Sequence, residues 1–329
     1  MFKTQKTPLV STVENAYTRL ISYHIAVWFV VLVGLVLQLV LGVQYLLYGL
    51  AQISIAVSLS LALVAAWRII THQPLEKYTY YMHVMTQGLL AALLLPTQAP
   101  LYMIVIMIFL IRFIEVIFKR LFRKNIIHPV LLSLLFVHMM FMGAFPMSET
   151  MINIFQQETL TLGRIRILFG AYEGLTLGTS ALIILGLLWV YLSVTKIIQF
   201  KMSMWYLGNL LFAVGVFALL TSYTLWQLFT LLILGYTLFV LVFFIAEPTS
   251  TPETDEMMIL FPFIAVLLTV WFRLQFGIIE AAVYAVIFAQ FITWIIEQFL
   301  NRSTRLRHHL LYGLVGVSWV VTITLLLLN

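Results

Sequence analysis

From residue 21 onward the chain keeps returning to apolar runs about as long as a helix that crosses a bilayer, and no other feature restricts its fold as much. Such a crossing takes about 20 residues of helix. The runs fall at residues 21–41, 46–66, 81–95, 101–118 and 126–145, then at 167–192, 204–220, 225–245, 257–272, 278–299 and 310–328. Hydrocarbon offers no partner to a backbone N–H or C=O, so runs of this length are helices rather than loops or short alternating strands. The composition agrees: 63% of residues are hydrophobic and 9% are charged, where a soluble domain carries roughly 25% charged residues. The expected fold is all-α, a polytopic integral membrane protein of about ten or eleven transmembrane helices embedded in the lipid bilayer.

One stretch, residues 86–129, is punctuated in a way that plain anchoring does not require. It reads TQGLLAALLLPTQAPLYMIVIMIFLIRFIEVIFKRLFRKNIIHP. The run before Pro96 and Pro100 is too short to cross, so the helix over 81–95 is expected to be short or broken. The next run carries Arg112 and Glu115 inside an apolar segment. Three residues apart, they share a helical face, which predicts an ion pair that offsets much of the cost of burying either charge. Broken helices and intramembrane charges usually line a site.

Basic residues accumulate in short cytoplasmic loops. With the amino terminus inside and the passes alternating, the inner side holds Lys3, Lys6, Arg19, Arg68, Lys77, Lys119, Arg120, Arg123, Lys124, Lys196, Lys201, Arg302, Arg305 and Arg307. The outer side holds only Arg164, Arg166 and Arg273, and Arg112 lies within a pass. This asymmetry predicts a multi-pass protein of the cell (plasma) membrane with its amino terminus cytoplasmic. It divides the chain into a cytoplasmic amino-terminal segment (1–20), a first transmembrane half (21–145), an extracytoplasmic linker (146–163) and a second transmembrane half (164–329). The amino-terminal segment lacks a short apolar core followed by a small-residue cleavage site and is expected to stay attached. The net charge of +6 belongs to inner loops and gives no reason to expect nucleic acid.

The chain has no cysteine, which excludes disulfides, thiolate metal sites and cysteine nucleophiles within it. His83, His128 and His138 are not spaced as paired ligands on one helix, so no metal site is expected. The two halves echo each other loosely. Thr86-Gln-Gly-Leu-Leu-Ala-Ala-Leu in the first has a counterpart in Gly178-Thr-Ser-Ala-Leu-Ile-Ile-Leu in the second, which suggests an inverted repeat whose broken helices meet near the midplane.

Four segments, in order, carry a family resemblance. TQGLLAALLLPTQAPL, from Thr86 to Leu101, is similar to the TGLLLAL-LP-LPL segment of the NqrB/RnfD family, the large membrane proteins of the sodium-pumping NADH:quinone reductase and of the Rnf electron-transport complex. Lys124-Asn125-Ile126-Ile127-His128-Pro129 resembles that family's N-I-F-N-P, with His128 in place of asparagine. Leu177-Gly178-Thr179-Ser180-Ala181-Leu182 resembles its L-G-E-T-S-A-L, and Ala246-Glu247-Pro248-Thr249-Ser250-Thr251-Pro252 its T-D-P-V-T-S-P. The resemblance implies a divergent NqrB/RnfD-like electron-transport subunit, holding a flavin and working with other membrane or extracytoplasmic redox subunits, with ion transport coupled to electron transfer.

That family attaches FMN through a phosphoester to the last threonine of Ser/Thr-Gly-Ala-Thr. Here Met147-Ser148-Glu149-Thr150 stands instead, so only Thr150 keeps the terminal residue. The expected FMN is therefore non-covalent, with Arg164 and Arg166 as candidates for its phosphate. By resemblance, Asn125, Thr179, Ser180, Glu247, Thr249 and Ser250 complete the candidate cofactor site. A catalytic residue is not identified. The alternative is a small-solute or ion permease on the same scaffold without redox chemistry, since broken helices and buried charges suit a transporter equally well.

Overall fold

A computed structural model of the chain describes residues 9–72, 78–122, 125–141, 176–179, 182–220, 236–247, 252, 254, 256–276, 280–300 and 313. Ten helices succeed one another there. The first five are α1 (Leu9–Leu41), α2 (Val43–Ile70), α3 (Tyr78–Leu94), α4 (Leu101–Phe122) and α5 (Pro129–Met140). The second five are α6 (Leu182–Val194), α7 (Phe200–Leu220), α8 (Thr237–Val240, passing into a π-helical turn at Leu241–Ile245), α9 (Met257–Phe276) and α10 (Ala281–Leu300). Six segments are long and apolar enough to span a membrane: Tyr17–Leu41, Val43–Ile70, Leu101–Phe122, Phe200–Leu219, Met257–Gln275 and Ala281–Gln298. The all-helical, polytopic class expected from the apolar runs holds.

The boundaries differ from the sequence reading for physical reasons. α1 begins at Leu9, inside the segment read as polar and amino-terminal, because hydropathy marks where lipid starts and not where a helix starts. Once nucleated, a helix extends through polar residues at little cost. The expected pass over 126–145 contains the 12-residue α5. The expected pass over 167–192 contains the 13-residue α6, which follows a turn at residues 176–179. Both helices are shorter than the roughly 20 residues of a full crossing. The pass expected over 310–328 lies outside the described residues, Gly313 excepted.

α3 is the short helix that the prolines predicted. It has 17 residues and stops at Leu94, since a residue before proline is driven from helical geometry and Pro96 has no N–H to continue the ladder. It is also the most enclosed helix of the first half, with residues 86–97 all buried. Gly88 permits this: a Cβ there would stand 2.8 Å from the carbonyl oxygen of Ala56 and 2.6 Å from Ser60 Oγ on α2. Around α3 pack α1, α2, α4 and α5. In the second half α9 lies against both α7 and α10, and α5 touches α10 across the halves.

Candidate functional site

Two breaks in the helices meet two others, and the pairing follows the four segments that carry the family resemblance. At the first junction the end of α3 meets the turn before α6. The last carbonyls of a helix have no partner within it, and deep in lipid no water can serve them. Here Leu93 O accepts from the Gly178 N–H at 2.9 Å, Leu94 O from the Tyr236 hydroxyl at 2.9 Å, and Pro96 O from Gln52 Nε2 at 2.8 Å. Pro96 and Thr176 form an isolated antiparallel bridge. The Thr176 and Thr179 hydroxyls lie 2.8 Å apart and close the turn. Gly178 sits where a Cβ would come 2.7 Å from the Phe239 ring and 2.9 Å from Leu93 O.

At the second junction the start of α5 meets the end of the π-helical turn after α8. Pro129 occupies the first turn of α5, where a missing N–H costs nothing. His128 is its N-cap: His128 Nδ1 accepts from the Val130 N–H at 3.3 Å. With Nδ1 accepting, a neutral His128 carries its proton on Nε2. That nitrogen lies 3.0 Å from Glu247 Oε2. The contact is within ion-pair distance but falls outside hydrogen-bond geometry. The His128 N–H donates to Gln290 Oε1 of α10 at 3.0 Å, and its ring stands edge-on to Phe244 at 4.7 Å. Gln199 N–H donates to Ala246 O at 3.0 Å, tying the loop before α7 to the same junction. His128 and Glu247 are both buried.

Beside this pair lies a cavity of about 250 Å³, lined by Arg19, Tyr23, His83, Thr86, Gln87, His128 and Glu247, with Leu20, Leu90 and Ile197. Its polar wall is ordered. Thr86 donates to Met82 O at 2.8 Å, so it accepts from His24 Nδ1 at 2.8 Å, and His24 Nε2 accepts from the Trp28 indole N–H at 2.9 Å. These three bonds agree on one neutral tautomer of His24. Tyr23 donates to Phe243 O at 2.8 Å, binding α1 to the π-helical turn. Gln87 Nε2 and His83 Nε2 are 3.0 Å apart, while Gln87 Oε1, on a buried residue of the cavity wall, has no hydrogen-bond partner among the described residues.

The expected Arg112–Glu115 ion pair is present at 2.6 Å. A third member, not anticipated from the sequence, is Lys119, also 2.6 Å from the Glu115 carboxylate. Arg112 donates further to Val84 O at 3.2 Å, which ties α4 to α3.

The site residues read from the sequence are spread across this geometry. Glu247 lines the cavity. Thr179 belongs to the first junction and Asn125 to the loop before α5, and neither lines the cavity. Asn125 Oδ1 has no hydrogen-bond partner among the described residues. Thr150, Arg164, Arg166, Ser180, Thr249 and Ser250 lie outside the described residues. Sequence reasoning missed the His128–Glu247 contact, His83, Thr86, Gln87 and Tyr23. The available signal was that His128 and Glu247 are departures from the family's motifs in two segments that prove to be neighbours. The cavity is smaller than the roughly 300–1,000 Å³ of sites for sizeable organic ligands, so it does not fit a whole FMN. Among the described residues no group of three His, Asp or Glu side chains is placed to hold a metal ion.

Comparison with known proteins gives one family. The model of the NQR2, RnfD, RnfE family matches residues 4–305. No curated protein matches the chain.

Proposed function

Because the chain belongs to the NQR2, RnfD, RnfE family, whose members are membrane subunits of ion-translocating redox complexes, we propose that it is the flavin-holding electron-transport subunit of such a complex. It passes electrons to or from partner redox subunits in the membrane or on its outer side, with ion movement coupled to the transfer. The observation that carries this reading is the meeting of all four family-like segments in pairs, Leu93–Pro96 with Thr176–Gly178 and His128 with Glu247. A chain that kept the family's segments only as lipid anchors would have no need to bring them together.

The flavin is FMN, held without a covalent bond. Glu149 beside Thr150 places a negative charge where a flavin diphosphate donor would have to approach. Arg164 and Arg166 hold the phosphate, Thr179 and Ser180 supply hydroxyls, and the ring rests at the outer end of the bundle. When bound, the flavin supplies the electron chemistry. The residues of the chain bind it, orient it and keep water away. Glu247 lies at the opposite junction, on the side of Lys119 and Lys196; Thr249 and Ser250, which follow it in the sequence, and Asn125 would complete a polar cap with it. In this reading that side is cytoplasmic and the linker over 146–163 is external, an orientation that the distribution of basic residues supports.

The test is to purify the protein from cells that also make a flavin transferase, record its visible spectrum, and run it on a denaturing gel. The expected result is an oxidised-flavin spectrum, release of FMN on mild denaturation and no fluorescent band. A fluorescent band that vanishes in Thr150→Val would overturn the non-covalent claim. A protein with no flavin before or after denaturation that takes up solute in vesicles would be a permease.

A further inference from the structure

The end of the bundle formed by the last turns of α2 and α4 and the first turn of α3 gathers cations that neither junction uses. The Arg68 guanidinium carbon stands 5.2 Å from the centroid of the Tyr80 ring, and Lys119 Nζ stands 5.8 Å from the same centroid. Arg112 and Lys119 divide the one carboxylate of Glu115 between them. Arg120 follows, exposed. Between residues 68 and 124 the sequence carries Arg68, Lys77, Arg112, Lys119, Arg120, Arg123 and Lys124 against only Glu76 and Glu115. In that stretch of the sequence basic residues outnumber acidic ones.

Basic residues at helix ends are ordinary in membrane proteins, and alone they show no more than which side faces the cytoplasm. Tyr80 is the feature that goes beyond this. Its ring receives cations from two different helices at one place, by attraction to the aromatic face. An anion seated beside it would take charge-assisted hydrogen bonds from the exposed Lys119 and Arg120. The same helix ends expose Trp67, Ile69, Ile70, Leu121 and Phe122. Free phosphate has no use for that apolar surface, whereas acyl chains would cover it.

We propose that this end of the bundle is a binding site for an anionic phospholipid, its headgroup phosphate held by Lys119 and Arg120 beside Tyr80 and its chains lying along α2 and α4. Clusters of this kind on the cytoplasmic side of a membrane helix recognise acidic headgroups. The site is independent of any flavin. The test is native mass spectrometry and thermal melting of the full chain in neutral detergent, with added phosphatidylglycerol, phosphatidylcholine or inorganic phosphate. Phosphatidylglycerol should raise the melting temperature and remain bound in the spectrum, while the other two should do neither. Lys119→Gln with Tyr80→Leu should weaken phosphatidylglycerol binding by about ten-fold or more. Arg120→Gln, at an exposed position, should weaken it without loss of folded protein. Equal shifts with phosphatidylcholine would reduce the site to a general lipid contact and overturn the proposal. So would a shift reproduced by phosphate alone, or unchanged phosphatidylglycerol affinity in Arg120→Gln and in the double variant.

Discussion

The two junctions solve the same problem by opposite means. Where α3 stops against the turn before α6, the contacts that serve the carbonyls of Leu93, Leu94 and Pro96 are all neutral, made by a backbone N–H, a phenol and an amide. Where α5 starts against the π-helical turn, the central contact is between two ionisable side chains, His128 and Glu247. A neutral junction has one protonation state and therefore one geometry. An ionisable one can be shifted by a charge that arrives nearby. The cavity opens beside the ionisable junction. The chain thus keeps its neutral joint and its ionisable joint apart.

The premise that charged contacts cost more to break than neutral ones is tested first at Glu115, another buried carboxylate. Glu115→Ala strips Arg112 of its carboxylate and should cost about 3–5 kcal/mol, read as lost yield and a lower melting temperature. Arg112→Ala should cost less, because Lys119 still holds Glu115. If the two variants melt alike, burial of charge is not what governs stability in this bundle, and the contrast between the junctions loses its basis.

Gly178→Ala probes the neutral joint. The added methyl meets Phe239 and Leu93 O, so the turn must move and the Gly178–Leu93 bond lengthen, for about 1–3 kcal/mol. A melting curve that overlays the wild type would show this joint to be slack and not rigid. At the ionisable joint, Glu247→Leu leaves His128 Nε2 without its carboxylate and should cost about 1–3 kcal/mol. In a cycle with His128→Leu the two changes should couple by at least about 0.5 kcal/mol, and strict additivity would show that the 3.0 Å approach carries no energy. The smallest effect belongs to Tyr236→Phe, which removes the neutral hydroxyl that donates to Leu94 O. It should cost about 1 kcal/mol, and a loss as large as that of Glu247→Leu would erase the difference between the joints.

What the sequence made legible depended on distance along the chain. The stop at Leu94 could be read because Pro96 acts on its immediate neighbours, and the Arg112–Glu115 pair because three residues is a helical interval. Lys119, four beyond Glu115, sits at an equally readable interval, but the run of basic residues after it makes it look like part of the inner loop. The contact of His128 with Glu247 left no mark in hydropathy or periodicity, since it depends on how two helix breaks from different halves are docked. The short helices α5 and α6 were hidden for a related reason. Both helices carry apolar residues on their exposed as well as their buried faces, so an apolar run shows no edge where the helix inside it begins or ends. Thr86 and Gln87 stand out in the sequence only by their likeness to a family segment, and their place on a cavity wall needed α1 and α3 to be set side by side.

The π-helical turn at Leu241–Ile245 is a spacer as well as a break. Such a turn amounts to one residue inserted into an α-helix, and one residue of α-helix corresponds to about 100° of rotation. Were the chain one residue shorter there, Ala246 and Glu247 would be turned by that angle about the helix axis. The carboxylate would leave His128, and Phe243 O would be drawn back into the regular ladder, away from the Tyr23 hydroxyl that now reaches it. The phase of this single widened turn therefore sets which way the acidic group of the second half faces, and a family member of the same composition but without it would place that charge elsewhere.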